Sequence, residues 1–155
     1  MPVVHSIGIA GVKVTSHPEK IRTVLGSCVG VAIYDRVAKT GGMCHVMLPS
    51  SKEGRGDRGK FADTALDWLV EDVVNAGTER SRLTAKITGG ASMFGEDIDN
   101  GIGNRNIIAV KEKLSQLRIR IVAEEIGGNK GRRMTLDPGT GKVQVQVIGA
   151  EPKTI

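Results

Sequence analysis

Apolar and polar positions alternate with a period of two over much of the chain, and the departures from that rhythm mark the other elements. Val3 to Val14 alternates loosely and predicts a strand that runs out in the polar stretch Thr15-Ser16-His17-Pro18-Glu19-Lys20. Ile21 to Leu25 predicts a second, short strand that leads straight into Gly26-Ser27-Cys28, a tight turn of small residues. In Val29 to Asp35 both alternating sets are apolar or small, with Val29, Val31 and Ile33 on one side and Gly30, Ala32 and Tyr34 on the other, which predicts an element buried on both faces. Its β-branched content favours a strand, although a short helix capped by Ser27 also fits. A polar turn around Ala38 to Gly42 then leads to a strand over Met43 to Leu48, which Pro49 stops.

The period changes after that. Ser50 to Lys60 holds three glycines among six charged residues and predicts an exposed loop. Phe61, Ala65, Trp68, Leu69, Asp72 and Val73 recur at three-to-four spacing and predict a helix over Phe61 to Ala76, ended by Gly77. Leu83 to Thr88 predicts a strand leading into Gly89-Gly90-Ala91-Ser92-Met93-Phe94. A polar loop over Glu96 to Gly103 and a cap at Asn104 precede a helix over Arg105 to Leu117, with Ile108, Val110 and Leu114 inward. Ile119 to Glu125 predicts a strand, and Arg132 to Asp137 with Lys142 to Val147 a hairpin around Pro138-Gly139-Thr140-Gly141. Strands outnumber helices by about three to one, so the class is a strand-rich α+β fold, with one domain over residues 1–155.

Composition narrows the function. Hydrophobic residues make up 39% of 155, enough for one ordinary core, and aromatics only 3%, so that core is aliphatic. The apolar runs are too short for a membrane-spanning helix, and the Met-Pro-Val-Val-His-Ser start lacks the basic and apolar regions of a secretory signal, so a cytoplasmic location is expected. The net charge of +5 is spread among acidic residues, and with few aromatics for base stacking nucleic acid is not an expected partner.

A reducing compartment disfavours a disulfide between Cys28 and Cys44 and leaves a thiol free for chemistry. His5 and His17 read as ordinary, partly exposed histidines, and Asp63 and Asp67 as a solvated helix face. His45 lies in an apolar strand whose alternation puts it on the opposite face from Cys44, so those two cannot serve one site. Cys28 stands just before the strand that would pair with this one. An imidazole beside a thiol takes its proton and returns it to a leaving amine, with no need of a metal or organic cofactor. The backbone N–H groups at Gly26-Ser27-Cys28 offer donors for an oxyanion. A plain ladder, however, places Cys28 near Pro49, so contact with His45 requires a bend, a bulge or a helical turn at Cys28.

Leu25-Gly26-Ser27-Cys28-Val29 followed by Gly42-Met43-Cys44-His45-Val46-Met47-Leu48-Pro49 resembles the signature of the chemoreceptor glutamine deamidase family, CheD, at that family's spacing. Further matches are Lys60-Phe61-Ala62-Asp63-Thr64-Ala65, Gly89-Gly90-Ala91-Ser92-Met93-Phe94, Ile102-Gly103-Asn104-Arg105-Asn106 and Ala123-Glu124-Glu125-Ile126-Gly127-Gly128-Asn129, in order from about residue 7 to residue 147. The resemblance implies hydrolysis of side-chain amides of particular glutamines on methyl-accepting chemotaxis receptors, through a thioester, in an open cleft. It also implies association with the chemotaxis phosphatase CheC, and layered mixed sheets with helices outside (α/β/β/α), as in cysteine hydrolases. The family's nucleophile falls on Cys28 and its base on His45. Its threonine stands six residues before the cysteine, where this chain has Arg22, so Thr23, five before, is taken, because arginine cannot accept a hydrogen bond from the imidazole. Gly26 and Ser27 are candidate oxyanion residues, and Ser92 and Asn129 candidate substrate contacts. The rivals are an adaptor that docks on the phosphatase or a receptor without turnover, and a zinc site on Cys28, Cys44 and His45 that lacks a fourth ligand.

Overall fold

The computed structural model describes residues 3–93 and 101–155. In chain order its elements are β1 (Val4–Ser6), β2 (Val12–Ser16), β3 (Lys20–Leu25), β4 (Val29–Asp35), β5 (Thr40–Val46), α1 (Ala62–Asn75), β6 (Thr84–Gly89), α2 (Ile102–Gln116), β7 (Arg120–Ile126), β8 (Arg132–Asp137), β9 (Lys142–Val147) and β10 (Lys153–Thr154). They form two mixed sheets, β1-β3-β8-β9-β10 and β2-β5-β4-β6-β7, with the β1–β3 and β6–β7 pairs parallel. The strand-rich α+β class with layered mixed sheets and helices outside is therefore the observed one, and both described α-helices lie against the second sheet.

Two apolar layers follow. Between the sheets pack Ile21, Leu25, Cys28, Ala32, Tyr34, Met43, Met134, Leu136, Val143 and Val145. Between the second sheet and the helices pack Val29, Val31, Ile33, Cys44, Val46, Ile87, Leu66, Leu69, Val110 and Leu114, among others. Every residue of β4 is buried, because its odd positions face the helices and its even ones the other sheet. That double burial accounts for its lack of polar alternation, and it resolves the strand-or-helix choice as a strand.

Three expectations are corrected. Val3 to Val14 is not one strand. Gly11 donates its N–H to the Gly8 carbonyl at 2.9 Å, and Ala10 has φ +67°, so the chain turns over between the layers and β1 and β2 join different sheets. Second, Gly41 and Gly42 belong to β5 and not to the preceding turn. A Cβ on Gly42 would stand 2.6 Å from Leu69 Cδ1, and one on Gly41 2.7 Å from Tyr34 Cβ, so these glycines allow close packing. The β4–β5 connection is consequently shorter, with Lys39 at φ +52° and Asp35 accepting the N–H groups of Val37 and Ala38. Third, α2 begins at Ile102 and not after Asn104, and Ile107, not Ile108, faces the core. The backbone of Gly103 abuts the Gly90 and Ala91 carbonyls, each 2.5 Å from a would-be Cβ, which only glycine permits. The loop over Ser50 to Lys60 is exposed along 51–58 as expected, contains single 3-10 turns at Ser51–Glu53 and Arg58–Lys60, and is tied down where the Lys60 carbonyl accepts from Met47 and Leu48. Residues 96–100 of the predicted polar loop, and Phe94, lie outside the described residues.

Candidate active site

Alternation along β3 turns Ile21, Thr23 and Leu25 into the inter-sheet layer and Lys20, Arg22 and Val24 away from it. Arg22 donates to Ser6 Oγ at 3.2 Å on the outer side. Thr23, 2% exposed, faces β5 of the other sheet, and its Oγ1 lies 2.7 Å from His45 Nδ1. The same hydroxyl donates to the Ile7 carbonyl at 2.8 Å. A hydroxyl has one proton, and with that proton on Ile7 it accepts from His45, so Nδ1 carries hydrogen and Nε2 keeps its lone pair.

The β4–β5 register pairs Gly30 with His45 and Val29 with Val46. Cys28 therefore falls opposite Met47, one diagonal step from His45 on the same face, not opposite Pro49. Diagonal neighbours of this kind have Cβ atoms roughly 7 Å apart, so the two side chains share a face without a bulge, and among the described residues no hydrogen bond joins them. The shorter hairpin at Lys39 is the physical reason for this two-residue shift. Gly30, between them, makes room for the other sheet: a Cβ there would stand 2.6 Å from Met134 Sδ and 3.0 Å from Leu25 Cδ1.

The turn ahead of Cys28 is held by its carbonyls. Gly26 O accepts from the Ala91 N–H at 3.0 Å, Cys28 O from the Gly90 N–H at 2.9 Å, and Ser27 O from the Asn106 side-chain amide at 3.2 Å. Because a trans peptide points its N–H opposite to its C=O, the Ser27 and Cys28 N–H groups are turned away from those anchors. Gly89 and Gly90 adopt φ of +102° and +71°, so the anchoring loop needs glycine twice over.

The two glycine loops lie side by side: Gly127 N–H donates to Gly89 O and Ser92 N–H to Gly128 O, both at 2.9 Å. Ser92 is thus next to the anchoring loop, whereas Asn129 is exposed beyond Gly128. Arg132, 3% exposed, fixes the outer loop by donating to Glu125 Oε1 at 2.7 Å and to the carbonyls of Gly127 and Lys130. Sequence reasoning passed over Arg132 and Asn106. The first was legible as a cation on the inward register of Arg132, Met134 and Leu136, the second as an amide on the apolar stripe of α2.

Burial sets the electrostatics. His45, 3% exposed, is pushed down to about 4, so its imidazole is neutral at neutral pH. Cys28, 9% exposed, has its thiol raised by the same desolvation. A depressed thiol, the usual consequence of an imidazole partner, is therefore not the resting state, and the pair is thiol and neutral imidazole. Cys44 sits in the helix-side layer, pushed up to about 12, and does not converge with His45. Among the described residues no three His, Cys, Asp or Glu side chains gather to hold a metal, and no helix is long and apolar enough to cross a membrane.

The His45 shift has a stability consequence. An imidazole protonates near 6.5 when the chain is unfolded and near 4 in the fold, so the unfolded state binds the proton first as pH falls. Stability from this group is complete above about 6.5 and is lost on descending to about 4, by about 3 kcal/mol in total. Denaturant unfolding across that window is expected to show the slope, and His45→Gln to flatten it.

The stretch 47–147 matches the family model described as CheD chemotactic sensory transduction. A protein of Clostridium botulinum strain Eklund 17B is 46% identical over 149 residues, 92% of each chain, and one of strain Hall is 48% identical over 155 residues, 96% of each. Both carry the name probable chemoreceptor glutamine deamidase CheD. Among solved structures, a Neisseria meningitidis protein of the DUF152 family model aligns with TM-score 0.45 at 11% identity, over 83% of this chain and 63% of that one. With nearly half its positions shared along almost its whole length, the chain belongs to the CheD family.

Proposed function

We propose that the chain is a cytoplasmic protein-glutamine glutaminase acting on chemoreceptors, with Cys28 as nucleophile, His45 as general base and Thr23 orienting the imidazole. The observation that carries this reading is the Thr23–His45 bond, 2.7 Å long, in the same inter-sheet layer and one diagonal step from Cys28. His45 Nε2 takes the Sγ proton as sulfur attacks the carboxamide carbon, and the Ser27 and Cys28 N–H groups receive the oxyanion. The intermediate collapses, the imidazolium returns its proton to nitrogen, and ammonia leaves a thioester on Cys28. Water then attacks, His45 again accepting the proton, and release of glutamate restores the thiol. The neutral resting pair suits this cycle, because the proton moves only as the new bond forms. A sulfur this buried favours a slim group on a methylene stem, which glutamine supplies and a folded backbone does not.

Incubation with the cytoplasmic part of a chemoreceptor, read by peptide mass spectrometry, is expected to show a gain of about one dalton at each modified glutamine. Binding to receptor or to CheC with every glutamine unchanged would support the adaptor reading instead.

Thr23 has its own test. Thr23→Val keeps the shape but removes the acceptor, leaving a buried Nδ1–H unpaired, so a stability loss of about 1–3 kcal/mol is expected together with slower turnover. Thr23→Ser, measured by denaturant unfolding alongside it, should recover most of both.

A further inference from the structure

We infer that Asn106 is a positioning residue for the reaction proposed above, its side-chain amide tying the turn that carries Cys28 to the end of the strand that carries His45. The inference rests on that reading of the site. Asn106 is 0% exposed and lies on the buried stripe of α2 with Gly103, Ile107, Val110 and Leu114, where an apolar side chain would pack as well. Its Nδ2 donates both hydrogens, to Ser27 O at 3.2 Å and to Met47 O at 3.0 Å. Those carbonyls lie just beyond the paired ends of β4 and β5, one residue before Cys28 and two after His45. The β4–β5 ladder has its last pair at Val29 and Val46. Beyond that pair no backbone rung among the described residues sets the spacing, and a single amide nitrogen spans the gap.

The bond to Ser27 does more than hold the turn. It grips the carbonyl of the Ser27–Cys28 peptide, and planarity then directs the Cys28 N–H to the opposite side, where the oxyanion would form. The Oδ1 atom of the same amide is buried and has no donor among the described residues. A buried acceptor left unpaired is a cost that leucine at this position would avoid. What the amide supplies in exchange is its two donors.

Asn106→Leu keeps the branching of the side chain without donors, and Asn106→Asp keeps the shape with acceptors only. Misplacing a reacting group by a fraction of an ångström to one ångström costs up to about 100-fold in rate, so kcat on a receptor glutamine is expected to fall about 10- to 100-fold in both variants with KM little changed. Alkylation of Cys28 by iodoacetamide builds no oxyanion and is expected to slow by a smaller factor. Leu114→Ala, on the same stripe, loosens the helix without touching either carbonyl and should retain kcat wherever it is folded. A wild-type kcat in folded Asn106→Leu, a change confined to KM, or an equal loss in Leu114→Ala at equal folded fraction would overturn the inference. Deamidation surviving in Cys28→Ala would overturn the site reading and this inference together. Loss in Cys28→Ala beside a wild-type kcat in Asn106→Leu would overturn the inference alone.

Discussion

Cys28→Ala is expected to abolish deamidation of a chemoreceptor glutamine, a loss of at least about 1,000-fold in kcat/KM, while the protein stays folded and still binds receptor. The sulfur is the only atom removed. Its layer is closed by Ile21, Leu25, Met43 and Met134, and a methyl group in its place leaves a small void without an unpaired polar group. Cys44 cannot substitute, because it faces the helices and its thiol is pushed up to about 12. Receptor peptides scored by mass after incubation with each protein give the comparison. Turnover in the variant at more than a few per cent of wild type would require a different nucleophile.

His45→Gln is expected to cost about 100- to 10,000-fold in kcat, the range associated with loss of a positioned general base. Glutamine can still accept from or donate to Thr23, so the layer remains filled, but nothing there can take the thiol proton. The loss should be smaller at alkaline pH, where hydroxide deprotonates a thiol that burial holds above its ordinary value. A pH profile of kcat/KM for both proteins tests this directly. Because burial pushes His45 down to about 4, the acid limb of the wild-type profile should lie near 4, where the imidazole takes up its proton, and not near 6.5.

How much of this was legible in the chain depends on the distance over which each feature is determined. The terminal hairpin Arg132–Asp137 and Lys142–Val147 agrees residue for residue, because alternation and turn chemistry are local. The opposite faces of Cys44 and His45 follow from a period of two in the same way, and Val29–Asp35 was recognisable as an element buried on both sides. The preference for Thr23 over Arg22 also reduces to alternation once the β3 register is known. What local pattern did not contain was partner geometry. Gly41 and Gly42 look like turn residues, yet they are glycine because Tyr34 and Leu69 crowd them, and the misplaced turn moved Cys28 two residues away from His45 in register. The phase of α2 failed for a related reason. Asn104 has the chemistry of a cap, but close approach of Gly103 to the Gly90 loop starts the helix earlier and brings Ile107 and Asn106 inward.

The raised thiol illustrates the same limit in electrostatics. A cysteine near a histidine suggests an ion pair, and whether one forms depends on desolvation, which no sequence pattern reports. Here the burial of both groups disfavours their charged forms.

A rapid acid quench during turnover, followed by mass analysis of the protein, tests the covalent step at the centre of this account. The tryptic peptide from Thr23 to Arg36 is expected to carry the receptor glutamine peptide, less the mass of ammonia, in a form that hydroxylamine removes. Ammonia released at the full rate with no adduct at any time point, or an adduct on a residue other than Cys28, would contradict it.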